Sequence, residues 1–241
     1  MSQSLKNIKI GKGNFISPKA IIHDNVIIGN NNKIYDDVIL YPNVVIGNDN
    51  ILFPRNIIGD IPINSHKNYN EYNFSFSKGV VIGDNNFFHV NNIICGGSVN
   101  KTLIGNNNKF LAENHIAHDV VIFDNVTFYM RVLTGGHSVF LSNSNIGMYS
   151  TIHQKRVIGQ YCMIGANNTI TKNVFPYYIN INNKLHRLNV SKIPNWISEY
   201  DSILKEINSN FLEKNYNLNK YNLPAELDET IQEYVKNIMI I

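Results

Sequence analysis

Charge is scarce in this chain. Only 16% of its 241 residues are Asp, Glu, Lys or Arg, and the formal balance is +3. The basic residues are scattered, so the clustered positive face that a nucleic-acid partner requires is missing. Cysteine is nearly absent as well. Cys95 and Cys162 cannot build a disulfide framework, and a reducing, cytoplasmic location is expected. No apolar stretch is long enough for a membrane span, and the opening MSQSLKNIKI has no apolar signal-peptide core.

Asparagine takes the place of charge, at fixed positions between aliphatic residues. IGNNNKI from Ile28, IGNDNIL from Ile46, IGDNNFF from Ile82, IGNNNKF from Ile104 and IGANNTI from Ile164 are variants of one phrase. The glycines of the Ile-Gly pairs fall at 29, 47, 59, 83, 105, 147, 159 and 165, in steps of 18, 12, 24, 22, 42, 12 and 6. Every step except 22 is a multiple of six. Such a beat, carried from about Ile16 to Val174, fits neither a helix nor a hairpin. It predicts an all-β solenoid, a parallel β-helix of short strands and tight corners. The aliphatic residues (Val26, Ile28, Ile46, Ile58, Ile82, Ile104 and their successors) point inward. Gly, Asn and Asp form corners that need left-handed backbone angles. With three six-residue faces, residues 18 apart stack about 4.8 Å from one another, and corner asparagines can hydrogen-bond along the stack.

Two segments break the beat and are expected to loop out, residues 60–79 and 96–102. Loops on a rigid scaffold often carry binding residues. After Pro176 the pattern stops. Trp196, Ile197, Tyr200, Ile203, Leu204, Ile207 and Phe211 follow Pro194 at helical spacing, and a second helix is expected after Pro224. The expected layout is a β-helix domain over residues 1–180 and a small α-helical C-terminal extension over 190–241, capping the end or side of the solenoid.

Half of the 8 histidines, His115, His118, His137 and His153, lie in one stretch. From His118 to His137 is 19 residues and from His137 to His153 is 16, both near one coil. A column of imidazoles on one edge is therefore expected. A neutral His beside an acid is the usual general base near neutral pH. Cys162 reads as core packing. Cys95 could be a thiol nucleophile, but a plain core or cleft cysteine is the simpler expectation.

NHIAHD (Asn114–Asp119), GGH (Gly135–His137) and IHQ (Ile152–Gln154), in that order and at those separations, resemble the UDP-N-acetylglucosamine acyltransferases of lipid A biosynthesis. The likeness spans roughly residues 10–180. It implies a left-handed β-helix of hexapeptide repeats, a homotrimer with its cleft between subunits, and no permanently bound cofactor. It implies that His118 is the catalytic base, that Asp119 orients it, and that the Gly136 N–H faces the thioester oxygen. His115, His137 and His153 would line the substrate cleft, with Asn114 and Gln154 beside them. Lys155, Arg156 and Arg131 are candidates for contact with the phosphate of the thioester carrier.

The departures bear on the substrate. CGGS (Cys95–Ser98) stands where the family has a substrate-contacting His-Arg-Gly-Thr run, which makes Cys95 a candidate substrate contact. ININNKLHRLN replaces a Gly-Asn-His-Ala run, and the 60–79 loop lacks Gly-Glu-Pro. The expectation is an acyltransferase using acyl-CoA or an acyl carrier protein and a nucleotide-linked sugar, foremost the amino group of a dideoxyamino sugar for surface polysaccharide. The alternative is 3-O-acylation of UDP-N-acetylglucosamine from acyl carrier protein in lipid A biosynthesis. A zinc enzyme like the γ-class carbonic anhydrases is a third reading. That family spaces two ligands five apart, whereas His115 and His118 are three apart, so no metal is expected.

Overall fold

The computed structural model describes residues 7–63, 74–218 and 221–240; residues 64–73 of the predicted 60–79 loop lie outside them. Two-residue strands such as Ile27–Ile28, Lys33–Ile34 and Ile39–Leu40 follow one another around a three-sided prism. They assemble three sheets that hold eight, ten and eight strands among the described residues. The first face begins at Lys9–Ile10, the second at Phe15–Ile16 and the third at Ile21–Ile22. Register follows the predicted repeat: Ile28 pairs with Ile46, and Thr127 with Asn145, all in parallel. The expected parallel β-solenoid is present.

Alternation explains each two-residue strand. Its second residue (Ile28, Ile34, Leu40, Ile46) is buried on the prism axis, while its neighbour faces outward. On the second face three successive axial residues are aromatic. Phe88, Phe110 and Phe128 stack with centroids 4.5 and 5.0 Å apart and planes within 4°, because identical positions recur at strand spacing.

The corners differ from expectation in one respect. At seven of the eight Ile-Gly pairs the left-handed residue is the second after the glycine, as at Asn31, Asp49, Asn85 and Asn107. At Ile58-Gly59 it is the glycine itself, with φ 87°. Gly29 serves close approach instead: a Cβ there would lie 2.4 Å from the Gly47 carbonyl oxygen of the next coil. Nor is the left-handed position restricted to Asn and Asp, since Arg55, Glu113, Arg131, His137, Tyr149 and Lys155 adopt it too. That conformation costs roughly 1–2 kcal/mol per residue. Stacked coils above and below hold the backbone there.

The predicted asparagine ladders form. Buried Asn50 donates through Nδ2 to Asn32 Oδ1 at 3.0 Å and to the Gly83 carbonyl at 2.9 Å. Its own Oδ1 accepts the Asn86 backbone N–H at 2.8 Å and the Asn86 amide at 3.0 Å. A second ladder joins Asn56, Asn92 and Asn114.

Both interruptions leave the prism at one edge, between the third face and the first. The chain departs after Asp60 and returns at Val80, then departs after Cys95 and returns at Thr102. The 22-residue step is the second excursion, since Ile82 pairs directly with Ile104.

At the far end an antiparallel hairpin, Tyr178–Ile181 with Lys184–Leu188, precedes the helices. The hexapeptide rhythm gave no sign of it. A 3₁₀ turn (Asn195–Tyr200), helix α1 (Asp201–Leu212) and helix α2 (Ala225–Ile240) follow. Leu204, Ile207, Leu227 and Ile231 bury themselves with Val139, Leu141 and Val157 from the first face, with Phe175, and with Tyr178 from the last strand pairing on the second face. The extension thus covers both the last coil and one flank. No described helix is long and apolar enough to cross a membrane.

Asn50→Ala strips partners from buried groups on two coils. Its expected cost is about 1–3 kcal/mol, read from the denaturant midpoint, whereas Lys33→Ala on the outer surface should change stability by less than about 0.5 kcal/mol.

Candidate active site

The regular rhythm of the prism decides which of the candidate residues meet. On the edge between third and first faces, successive coils place His118 beneath Gly136 and Gln154, and Asp119 beneath His137 and Lys155. The backbone N–H of His137 donates to the His118 carbonyl at 3.1 Å, and that of Lys155 to the Gly136 carbonyl at 2.9 Å. The expected imidazole column is therefore corrected. Spacings of 19 and 16 miss the 18-residue coil by one and two positions, so the histidines are offset around the edge. His118 and His137 meet edge to face, centroids 5.2 Å apart at 88°. His153, exposed, contacts the Gln154 carbonyl through Nδ1 at 3.2 Å.

The offset has a use. The His118 ring lies against a glycine: a Cβ on Gly136 would fall 2.6 Å from Cε1 and 2.8 Å from Nε2. Any side chain there would displace the imidazole.

Asp119 is the best-held group in the site. His118 Nδ1 lies 2.7 Å from its Oδ2, with the carboxylate 1% exposed and the imidazole 19%. The excursion after Cys95 wraps the same carboxylate. Ser98 donates through its backbone N–H (2.9 Å) and hydroxyl (2.6 Å), Val99 through its N–H (2.9 Å) and Asn100 through its N–H (2.6 Å). Thr102 accepts the backbone N–H of Asp119 at 3.0 Å. Burial alone would raise the carboxyl's pKa. The hydrogen bonds from His118, Ser98 and Asn100 outweigh it and hold the group well below the usual carboxylate range. A permanently ionised Asp119 keeps the proton of His118 on Nδ1 and leaves Nε2 as the acceptor.

Sequence reasoning placed CGGS in the substrate pocket and missed this clamp. The 22-residue step was its signal, since four surplus residues are what an excursion long enough to reach Asp119 requires.

Other candidates are sorted by the geometry. Cys95 is buried, 3% exposed, with Sγ 3.5 Å from His115 Nε2. Burial pushes its thiol up to about 12, so neither the nucleophile nor a direct substrate contact is supported; it backs His115. Burial also lowers the pKa of His115 and of His137, the latter against the pull of Asp119 and with help from nearby Lys155. Both rings are held neutral.

Asn114 is corrected from substrate contact to structural ladder: it is 1% exposed, and its amide is spent on Asn92 and the Leu111 carbonyl. Arg131 sits on the edge between second and third faces, paired with Glu113 and Tyr149, away from His118. Arg156 bonds the Gln154 carbonyl at 3.1 Å and turns toward the helical extension. Lys155 does belong to the site. It lines a cavity of about 200 Å³ with Asp119, His137, Asn100, Val139 and Ile240 at the end of α2.

His118, Asp119 and His137 also bring potential metal ligands within 4.8 Å of one another. The carboxylate oxygens, however, already accept five hydrogen bonds, counting His118. That leaves two imidazoles, short of the three protein ligands of a catalytic zinc. The donor set does not fit the carbonic-anhydrase reading.

No family profile matches the chain. Single proteins do. It is 31% identical over 169 residues to the acyl-[acyl-carrier-protein]–UDP-N-acetylglucosamine O-acyltransferase of Nautilia profundicola, covering 66% of this chain and 64% of that one. The same-named protein of Sinorhizobium fredii is 27% identical over 126 residues, covering 52% of this chain and 46% of its own length. The chain thus spans about half the length of several such relatives. Among solved structures, a UDP-N-acetylglucosamine acyltransferase from Bacteroides fragilis superposes with a TM-score of 0.81 at 27% identity, over 96% of each chain. The Campylobacter jejuni counterpart gives 0.75 at 25% identity, over 89% of this chain and 90% of its own. In sequence and in fold the chain resembles these hexapeptide-repeat acyltransferases.

Asp119 yields a pH test. A carboxyl whose folded pKa is depressed adds stability above its unfolded value and loses it as pH falls toward the folded one. The stability advantage of the native chain over Asp119→Asn should be full at neutral pH and narrow below about pH 4. Denaturant midpoints across that range check it, and a pH-independent gap would show that the charge is not what the clamp holds.

Proposed function

We propose that this relative of the UDP-N-acetylglucosamine acyltransferases moves an acyl group from an acyl carrier protein thioester to a hydroxyl of UDP-N-acetylglucosamine or a close analogue. The observation that carries the reading is the His118–Asp119 pair at 2.7 Å, clamped from below by the Ser98–Asn100 backbone and pressed against Gly136.

In this reading His118 Nε2 accepts the proton of the sugar hydroxyl as its oxygen attacks the thioester carbon. Asp119 stays ionised and stabilises the imidazolium. The carbonyl electrons move to oxygen, and the Gly136 N–H is the donor proposed to stabilise it. The tetrahedral adduct collapses, the C–S bond breaks, and the departing thiolate takes the proton from His118. His115 and His137, both neutral, serve as hydrogen-bonding walls. Lys155 is the cation positioned for a phosphate. His153 and Gln154 lie on the next coil of the same edge, open to a ligand.

Two features favour oxygen over the amino-sugar acceptor that CGGS suggested. The relatives' printed names specify O-acylation and an acyl carrier protein, and nothing among them supports acyl-CoA. The CGGS run also has another explanation, since Ser98 holds Asp119 and Cys95 is buried. A nucleotide-linked dideoxyamino sugar remains the second reading, because the 60–79 loop departs from the family pattern.

A homotrimer belongs to the proposal. Open aliphatic residues stand on the first and third faces beside the catalytic edge, away from the stretch the helical extension covers, with Ile27 39%, Leu103 41% and Leu133 48% exposed. A second copy set against them would give the cleft its other wall. A cytoplasmic setting, where acyl carrier protein and nucleotide sugars meet, fits the same reading.

His118→Ala should fold with an unchanged melting temperature and lose about 10²- to 10⁴-fold in kcat/KM. Gly136→Ala should lose activity comparably by displacing the imidazole. Assays pair acyl carrier protein or CoA thioesters with UDP-N-acetylglucosamine and with a thymidine-diphosphate amino sugar. Turnover of the first pairing is expected; native turnover by His118→Ala would overturn the base assignment.

A further inference from the structure

A larger cavity, about 380 Å³, lies on the second face, away from His118. Two vertical columns build it. Lys109, Thr127 and Asn145 face outward from consecutive paired strands, and Asn107, Asn125 and Asn143 occupy the adjoining corners. Consecutive members are one strand spacing apart, about 4.8 Å. The roof comes from the C-terminal extension. Asn189 donates to the Tyr161 carbonyl at 2.9 Å and accepts the Lys192 backbone N–H at 2.9 Å, which hangs Lys192 over the groove.

Asn145 points to a ligand. It lines the groove and is only 8% exposed, yet its side-chain amide makes no hydrogen bond among the described residues. Its inward-facing neighbour Ile146 belongs to the core, so the Asn145 side chain must face the cavity. By contrast, the amides of Asn50, Asn86 and Asn92 are occupied by the ladders. The lining contains no carboxylate, and Lys109 and Lys192 supply positive charge at separate points.

We infer that this groove is a second binding site, for a sugar phosphate. Asn amides and the Thr127 hydroxyl offer both donors and acceptors, which matches sugar hydroxyls. The lysines match a phosphate as point charges. The groove lies on the second face. An assembly built on the edge between third and first faces would leave it open. The inference does not depend on the acyl-transfer reading.

Calorimetric titration of the full chain with N-acetylglucosamine 1-phosphate tests it, with inorganic phosphate and N-acetylglucosamine as separate arms. Expected is saturable binding that weakens at least tenfold in the Lys109→Ala/Lys192→Ala double variant and in Thr127→Val, and that persists in His118→Ala. Asn145→Leu should abolish it; if that variant melts early, Thr127→Val and the lysine pair decide. Phosphate alone binding as tightly as the sugar phosphate would overturn the sugar assignment. No saturable binding, or binding unmoved by the groove variants, would overturn the site. Loss of acyl transfer in His118→Ala with sugar-phosphate binding intact keeps the two proposals distinguishable.

Discussion

The structure depends on one constraint: each coil hydrogen-bonds to the next in fixed register. Backbone N–H groups of one coil meet carbonyls of its successor along all three faces, as from Ile27 to Val44 or Leu133 to Ser150. No short strand could survive alone, since it has too few bonds to offset its ordering entropy. Joined in this way, position rather than local propensity decides the environment of a side chain. That is why a tyrosine, a lysine and a histidine can sit in left-handed corners beside asparagines.

The same constraint shapes the candidate site. A corner that elsewhere holds Asn ladders holds Asp119 here, and an ionised carboxylate in a nearly dry position needs several donors to remain there. The six-residue excursion after Cys95 supplies them from its backbone. His118 then receives its orientation from two sides, Asp119 through Nδ1 and Gly136 through the missing side chain. His137 adds a neutral wall. The chemistry comes from ordinary corner positions with altered occupants.

Much of this was legible in the sequence. The Ile-Gly steps located the coils, and the three motifs with a spaced GH and HQ located His118, Asp119, Gly136 and His137. The single column does not form because spacings of 19 and 16 are not 18; a one-residue offset turns a side chain around a corner. Ser98 was visible only as a departure from a family pattern, since what a loop wraps around is a tertiary fact. Arg131 failed for the opposite reason. Its charge invited a phosphate, but coil stacking brought Glu113 to it first. The Tyr178–Leu188 hairpin lies where the rhythm has ended, and no periodicity could announce it.

Because both excursions emerge at one edge, between third and first faces, the remaining two edges run as plain stacks of floors. Length in such a tower is counted in whole storeys. A surplus that is not a full circuit can be absorbed only where the chain is free to bulge outward, and here that place is the catalytic edge. Variation in chain length and variation in the reaction chamber are thereby confined to the same seam, while the rest of the masonry keeps its plumb line.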